Sequence, residues 1–336
     1  VQVTVIGAGV AGLTCALELA ERGVAVEVLE RAPRLDGAGC SWFAGGMLAP
    51  WCERESSEPL IAELGAESLG WWRTHFPGTV ARGTLVVAHA RDTAELAQFG
   101  RRTAHFQHLA AEGIAALEPE LAGRFAHALF FADEGHLDPR AALRALTERL
   151  SGLAVRVRFG VDVAPGELAG RTVIDCTGLA ARTRLPQLRG VKGEMLLLHS
   201  DEVTLTRPVR VLHPRVPLYV VPRGQGLFMV GATMIESDEG SRVSARSMLE
   251  LLSAAYALHP AFGEAQVIEI GTGVRAAFPD NLPRLQRVGR TLYINGLYRH
   301  GFLLAPALAR RAAQTVLEGR QFPEVMHEDP RERRLA

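Results

Sequence analysis

A strand, a glycine-rich turn, a helix and a second strand closed by an acid fill residues 3–30 and constrain the rest of the chain. Val3-Thr4-Val5-Ile6 reads as a short buried strand. It runs into Gly7-Ala8-Gly9-Val10-Ala11-Gly12, and an Ala/Leu-rich helical pattern continues to Arg22. Gly23 stops that helix, and Val24-Ala25-Val26-Glu27-Val28-Leu29 makes the second strand, ending at Glu30. Two parallel strands need such a crossover, so the unit is βαβ. Gly7 permits the tight turn, Gly9 lets backbone approach a pyrophosphate, and Gly12 lets helix pack on strand. The phosphates rest against free N–H groups at the helix start. Glu30 stands where it accepts both hydroxyls of an adenosine ribose, and its charge disfavours a 2′-phosphate. An ordinary glycine-rich turn is the competing reading, but it requires neither the helix nor the terminal acid.

At 336 residues the chain is long enough for a large core and for two domains. With 37 basic and 37 acidic residues it carries no net charge, which argues against nucleic-acid or membrane-surface binding. Cys15, Cys40, Cys52 and Cys176 form no CxxC pair and no zinc spacing, so buried thiols in a reducing compartment are expected. The first strand leaves no room for a signal peptide, and no apolar run reaches the roughly 18 residues of a membrane span. A soluble, cytoplasmic protein is expected, and metal is not.

Beyond a loop at 31–39, Cys40 to Pro50 is apolar, small and glycine-punctuated. Either its backbone runs beneath something flat, with Gly45 and Gly46 giving clearance, or it is a tight buried turn. A helix is expected over 58–76, with Trp71 and Trp72 packing it onto the domain or lying at an interface. Gly83 to Ala88 reads as a strand, 92–110 as helical, and a short helix begins at Ile114. His105 and His108 would share a face of that helical stretch, as solvated or locally bonded residues. Ala126 to Phe131 is a strand. Asp138 caps a helix with Pro139 at its first position, and Leu143, Leu146 and Leu150 take its core face. Val155 to Phe159 and Gly170 to Gly178 are strands, the latter ending in a small turn that suits close approach to a dinucleotide; the Val161 region would place backbone at an adenine edge. From Gly193 the pattern turns β-rich, with candidates at 194–199, 209–212, 218–221, 226–231 and 266–271 and a helix at 244–257. This suggests a mostly antiparallel sheet. Thr291 to Gly296 then returns as a strand, followed by a helix over Ala305 to Leu317 and a loosely held tail from Gln321.

Several motifs, spread over nearly the whole chain and in a common order, resemble the D-amino-acid oxidase and glycine oxidase superfamily of flavoproteins. Within it, the chain is most similar to the glycine oxidases of thiazole and thiamine biosynthesis. The motifs are the strand–GAGVAG–helix–strand–Glu30 unit, Ala44-Gly45-Gly46-Met47-Leu48-Ala49-Pro50, Asp175-Cys176-Thr177-Gly178 and Tyr219-Val220-Val221-Pro222-Arg223. With them go Val230-Gly231-Ala232-Thr233-Met234, Gly273-Val274-Arg275 with Pro279-Asp280-Asn281-Leu282-Pro283, and Gly296-Leu297-Tyr298-Arg299-His300-Gly301-Phe302-Leu303-Leu304-Ala305-Pro306. The resemblance implies an α/β fold: a Rossmann-like FAD-binding domain and a second, mostly antiparallel β-sheet substrate domain with helices. The FAD-binding parts are expected at 1–78, 139–190 and 285–320, the substrate parts at 79–138 and 191–284, and the tail at 321–336.

The resemblance further implies extended FAD with its ring between the domains, Arg275 paired with a substrate carboxylate, Tyr219 donating to the same group, and Arg299 beside ring and substrate. The implied cofactor contacts are residues 7–12, Glu30, Arg31, the Ala44 to Met47 loop, Val163, Thr177, Gly178, and Arg299, His300, Gly301, Phe302 and Leu303. Three positions depart from the family pattern: Leu297 and Pro217 where histidine is common, and Phe302 where isoleucine is common. The implied reaction is oxidation of a small amino acid, the α-hydrogen leaving as hydride from a neutral amine, to give an imine and then a 2-oxo acid, ammonia and hydrogen peroxide. Such chemistry needs positioning rather than an acid–base residue, so His300 reads as a structural neighbour. Members that bind flavin covalently use a carboxy-terminal cysteine; here the last is Cys176, so FAD is expected to be noncovalent. The remaining readings are an oxidase for sarcosine or larger D-amino acids, a dehydrogenase with a non-oxygen acceptor, and a non-enzymatic flavin scaffold. A homodimer or homotetramer is the assembly the resemblance implies.

Overall fold

The computed structural model describes residues 2–36, 39–213 and 218–328, with backbone alone at 327 and 328. The chain opens with β1 (Gln2–Ile6), α1 (Val10–Ala20) and β2 (Ala25–Glu30). After the apolar loop come β3 (Met47–Leu48), α2 (Pro50–Arg54) and α3 (Pro59–His75). β4 (Thr84–Ala88), α4 (Thr93–Arg101), β5 (Gln107–Ala110), α5 (Ala111–Leu117), β6 (His127–Phe131) and β7 (Gly135–His136) follow. Next are α6 (Pro139–Gly152), β8 (Arg156–Phe159), β9 (Thr172–Asp175), β10 (Arg189–His199), β11 (Val209–Leu212), β12 (Leu218–Gly224), β13 (Leu227–Gly231) and β14 (Ile235–Glu236). The last stretch holds α7 (Ala245–Leu258), β15 (Gln266–Ala277), β16 (Arg284–Val288), β17 (Thr291–Asn295), α8 (Gly301–Glu318) and β18 (Met326–Glu328).

Two large sheets share these strands. One runs β18-β16-β17-β9-β1-β2-β8, its centre parallel: Val3 pairs with Val26 on one side and Thr172 on the other. Strands flanked on both edges and covered on both faces read as nearly continuous apolar runs, and Val3, Thr4, Val5 and Ile6 are all buried. α1, α3, α6 and α8 cover this sheet with a core that includes Leu13, Leu17, Leu64, Trp72, Leu146 and Leu308. Each of those leucines is fully or almost fully buried and contributes roughly 1.5–3 kcal/mol. Trp71 and Trp72 both face this core, donating to Glu18 Oε1 (2.6 Å) and to the Phe302 carbonyl (2.7 Å). The second sheet runs β14-β10-β13-β12-β11-β4-β6-β5, with β15 along β10. It is antiparallel except for the β11–β4 pair, and α7 covers it with Leu251, Ala255 and Leu258. No helix among the described residues is long and apolar enough to cross a membrane.

Asp138 caps α6 as expected, accepting from the N–H of Arg140 and Ala141. Helix does not extend through 92–110. It ends at Arg101, and Gln107 to Ala110 form an edge strand antiparallel to β6. Four residues are too few to show alternation, and β6 offers an edge that a helix would leave unpaired. His105 and His108 therefore share no helix face: His105 stacks on Trp51 at 3.8 Å and His108 sits in β5. Strands β10 and β15 are longer than expected at 194–199 and 266–271 because they pair along their whole length, from Arg189↔Ala277 to His199↔Gln266. α8 begins at Gly301 rather than Ala305. The tail is not loose where described: Phe322 and Val325 are buried in the first core and β18 pairs with β16. The tail residues 329–336, and Pro217, lie outside the described residues. All four cysteines are free; Cys15 and Cys52 are buried, whereas Cys40 is exposed and Cys176 half-buried.

Candidate active site

At the carboxyl ends of β1, β2 and β9 a cleft of ≈ 760 Å³ opens, within the roughly 300–1,000 Å³ of small-molecule sites. Gly7, Ala8, Gly9, Glu30, Arg31, Val161, Val163, Thr177 and Gly178 line it. Gly7 has φ +100°, and a Cβ there would lie 2.9 Å from the Cys176 carbonyl oxygen; one on Gly12 would lie 1.8 Å from the Gly7 oxygen. These glycines weld turn, helix and strand together. Gly9 offers no side-chain cap to α1; Ser41 Oγ accepts from the Val10 N–H at 3.2 Å, and the positive end of the helix still favours an anionic ligand. Glu30 is buried, its Oε2 accepting from Ala8 N (2.7 Å) and its Oε1 from Ala32 N (2.9 Å). Each carboxylate oxygen keeps a second lone pair for a ribose hydroxyl. The cleft therefore fits an adenine dinucleotide. Val10, Ala11 and Gly12, expected as contacts, do not line it; Gly12 acts by packing.

A smaller cavity of ≈ 90 Å³ lies against the second sheet, lined by Ala44, Gly45, Gly46, Met47, Tyr219, Arg275, Arg299, His300, Gly301, Phe302 and Leu303 among others. Residues far apart in sequence thus line one cavity. β15 divides the two spaces by strand alternation: Val274 and Ala276 line the cleft while Arg275 lines the cavity. The apolar loop supplies the other wall. Gly46 has φ +75°, and a Cβ there would meet the Leu137 carbonyl at 2.1 Å; a Cβ on Gly45 would meet the Tyr219 ring at 2.8 Å. Buried Arg223 holds the loop, donating to the carbonyls of Leu137 (2.9 Å) and Ala44 (2.8 Å). Burial lowers its guanidinium to about 10. The loop is a tight buried turn and a cavity wall at once.

Arg275 Nη1 donates to the Thr233 carbonyl (3.1 Å), and among the described residues Arg275 enters no ion pair. Its guanidinium fills the space above Gly193, where a Cβ would lie 2.1 Å from Nη2. Burial raises the Tyr219 phenol, against the pull of Arg275, so Tyr219 stays a hydroxyl donor.

Sequence reasoning missed Glu53, Arg210, Leu218, Ala232 and Met234, which complete the lining. Glu53 Oε2 stands 2.9 Å from Arg299 Nη2 and 3.5 Å from His300 Nδ1; Glu53 Oε1 stands 3.6 Å from Arg210 Nη1. Burial alone would raise its carboxyl, but Arg299, His300 and Arg210 hold it down at about 2. Burial pushes His300 down to about 3. Arg299 Nε donates to His300 Nε2 (3.4 Å), which leaves the imidazole proton on Nδ1, facing Glu53. No signal in the sequence joins Glu53 to Arg299: α2 is one turn long and its partners come from the far end of the chain.

α2 is fixed by Glu134, whose Oε1 accepts from Trp51 N (2.9 Å) and Cys52 N (2.7 Å) while Oε2 is buried without a hydrogen bond. Burial raises this carboxyl to about 8. Between its ordinary value of 4.5 and about 8, the folded protein binds one more proton than the unfolded chain, so this group's contribution to stability falls as pH rises. Glu134→Gln, which stays neutral, is expected to gain in Tm relative to the parent between pH 5 and pH 8. A Tm difference independent of pH would show that Glu134 does not titrate there.

A dinucleotide cleft at the ends of a parallel sheet, with a cation-rich cavity against a second sheet on the other side of β15, defines a nucleotide-dependent enzyme. The chain belongs to the FAD dependent oxidoreductase (DAO) family, whose profile matches residues 2–315. It is 57% identical over 324 residues to the putative thiamine biosynthesis oxidoreductase ThiO of Rhizobium etli, covering 96% of this chain and 98% of that one. It is 27% identical over 355 residues to the glycine oxidase of Pseudomonas aeruginosa, covering 95% of each. Its fold matches the crystal structure of glycine oxidase from Geobacillus kaustophilus with a TM-score of 0.80 over 95% of each chain, at 23% identity. The expected fold and FAD dependence hold. Noncovalent FAD, as expected, accords with this family membership.

Proposed function

We propose that this enzyme oxidises glycine or another small amino acid to its imine, which hydrolyses to the 2-oxo acid and ammonia, and that oxygen is reduced to hydrogen peroxide. The observation that carries this reading is Arg275, a guanidinium in a cavity wall that makes no ion pair among the described residues. A guanidinium fork matches a carboxylate with two parallel bonds, each charge-assisted bond worth roughly 1.5–3 kcal/mol. Tyr219, held as a phenol, donates to the same carboxylate. Bound FAD supplies a two-electron acceptor for the α-hydrogen. The chain's part is placement: Arg275 and Tyr219 fix the carboxylate, and the Gly45–Gly46 turn and Phe302 wall the α-carbon. Neutral His300 and ionised Glu53 orient Arg299. Similarity to the Rhizobium etli protein supports a place in supplying thiazole for thiamine biosynthesis. The proposal includes a cytoplasmic location and a homodimer or homotetramer.

The test is anaerobic mixing of the holoenzyme with glycine, sarcosine and a panel of D-amino acids, following the oxidised-flavin band. Bleaching by glycine, restored by air with release of peroxide, supports the proposal. Bleaching by bulky D-amino acids alone would replace the substrate, and air-insensitive reduced flavin would replace the acceptor.

A further inference from the structure

Three guanidinium groups line or edge the small cavity, Arg210, Arg275 and Arg299. Two carboxylates stand against them. Glu53 lies 2.9 Å from Arg299 and 3.6 Å from Arg210, and Glu55 lies 3.6 Å from Arg210 Nη2. Arg210 and Arg299 each face an acid, Glu55 being shared with Arg102 at 3.3 Å. Among the described residues the guanidinium left without an ion pair is therefore that of Arg275, one uncompensated positive charge. The balance matches a substrate with a single carboxylate. Glu53 has a second property: it lines the cavity, and its Oε2, although close to Arg299, is buried without a hydrogen bond. A carboxylate in a low-dielectric wall cancels the pull of its guanidinium partner and opposes a second carboxylate at short range, and discrimination built from a like charge is a usual source of specificity.

We propose that Glu53 determines the charge class of the substrate: by neutralising Arg299 it confines the cavity to amines that carry one carboxylate and excludes dicarboxylic ones. This rests on the amino acid oxidase reading above and narrows it. Removing the charge of Glu53 frees Arg299 to bind a second carboxylate, so the same cavity then accepts a small dicarboxylic amine.

The experiment uses holoenzyme with two readouts. The first is anaerobic flavin reduction by glycine against iminodiacetate. The second is binding of acetate against malonate, followed by the perturbation of the flavin spectrum, which needs no turnover. In Glu53→Gln the preference should move toward iminodiacetate and toward malonate by between about tenfold and a hundredfold, the equivalent of one charge-assisted hydrogen bond. In the double variant Glu53→Gln with Arg299→Gln the balance of one positive charge returns, and with it the preference for the monocarboxylates. A merely structural role for Glu53 predicts no such return. Acetate and malonate affinities that change together in Glu53→Gln would overturn the proposal. So would a double variant that keeps the dicarboxylate preference. Arg299→Gln alone, which leaves Glu53 uncompensated, should weaken malonate more than acetate, and equal weakening would overturn the proposal even where Glu53→Gln does not fold. Failure of glycine and iminodiacetate alike to bleach the parent enzyme would remove the oxidase reading and this one together, whereas a glycine-active parent with unshifted variants removes this one alone.

Discussion

Arg275→Ala is expected to remain folded and yellow while losing most of its reduction by glycine. Truncating one partner of a buried, hydrogen-bonded charge pair costs about 2–5 kcal/mol, so kcat/KM should fall by roughly thirtyfold to several thousandfold. The side chain contributes no intramolecular ion pair among the described residues, and its one hydrogen bond is to a carbonyl on the cavity rim, so Tm should move little. Rapid-mixing reduction kinetics, with flavin content and Tm as controls, make the comparison. Arg275→Lys should recover only part of the loss, because an ammonium cannot present two parallel donors. An unchanged kcat/KM in Arg275→Ala would remove it from the substrate clamp.

Gly12→Val is expected to abolish flavin binding, and with it much of the soluble protein. Even a Cβ at this position would sit 1.8 Å from the backbone oxygen of Gly7. Gly7 cannot retreat, since its own turn lies against the Cys176 carbonyl, and overpacking a rigid backbone contact costs about 1–3 kcal/mol or more. A glycine in open space supplies the contrast: Gly70 in α3 has nothing within 4 Å of a built Cβ. Gly70→Ala should therefore stabilise the protein by about 0.5–1 kcal/mol. Flavin absorbance per protein distinguishes the two variants, and a fully yellow Gly12→Val would contradict the packing argument.

The first thirty residues were legible because strand, turn, helix and acid all act locally. The clamp residues were legible only through the resemblance, since nothing in the strand patterns around Tyr219 or Arg275 says that those side chains face a cavity. Glu53 was not legible at all: its role is fixed by Arg299 and His300, which reach it through the fold and not through the sequence. The misread edge strand at Gln107 and the docked tail at Phe322 share a cause. Each is a short segment whose structure is decided by the neighbour it lands on, β6 in one case and β16 in the other.

Val3 pairs with Thr172, and Ile174 in turn pairs with Leu292. At a synthesis rate of about 5–20 residues per second, the first strand waits roughly ten to thirty seconds for its inner neighbour, and longer for the next. Throughout that wait an apolar strand with one open edge trails from the ribosome. The dinucleotide loop is translated well before β9 and β17, yet the sheet that holds it is completed only when those strands emerge, so cofactor capture waits on their synthesis.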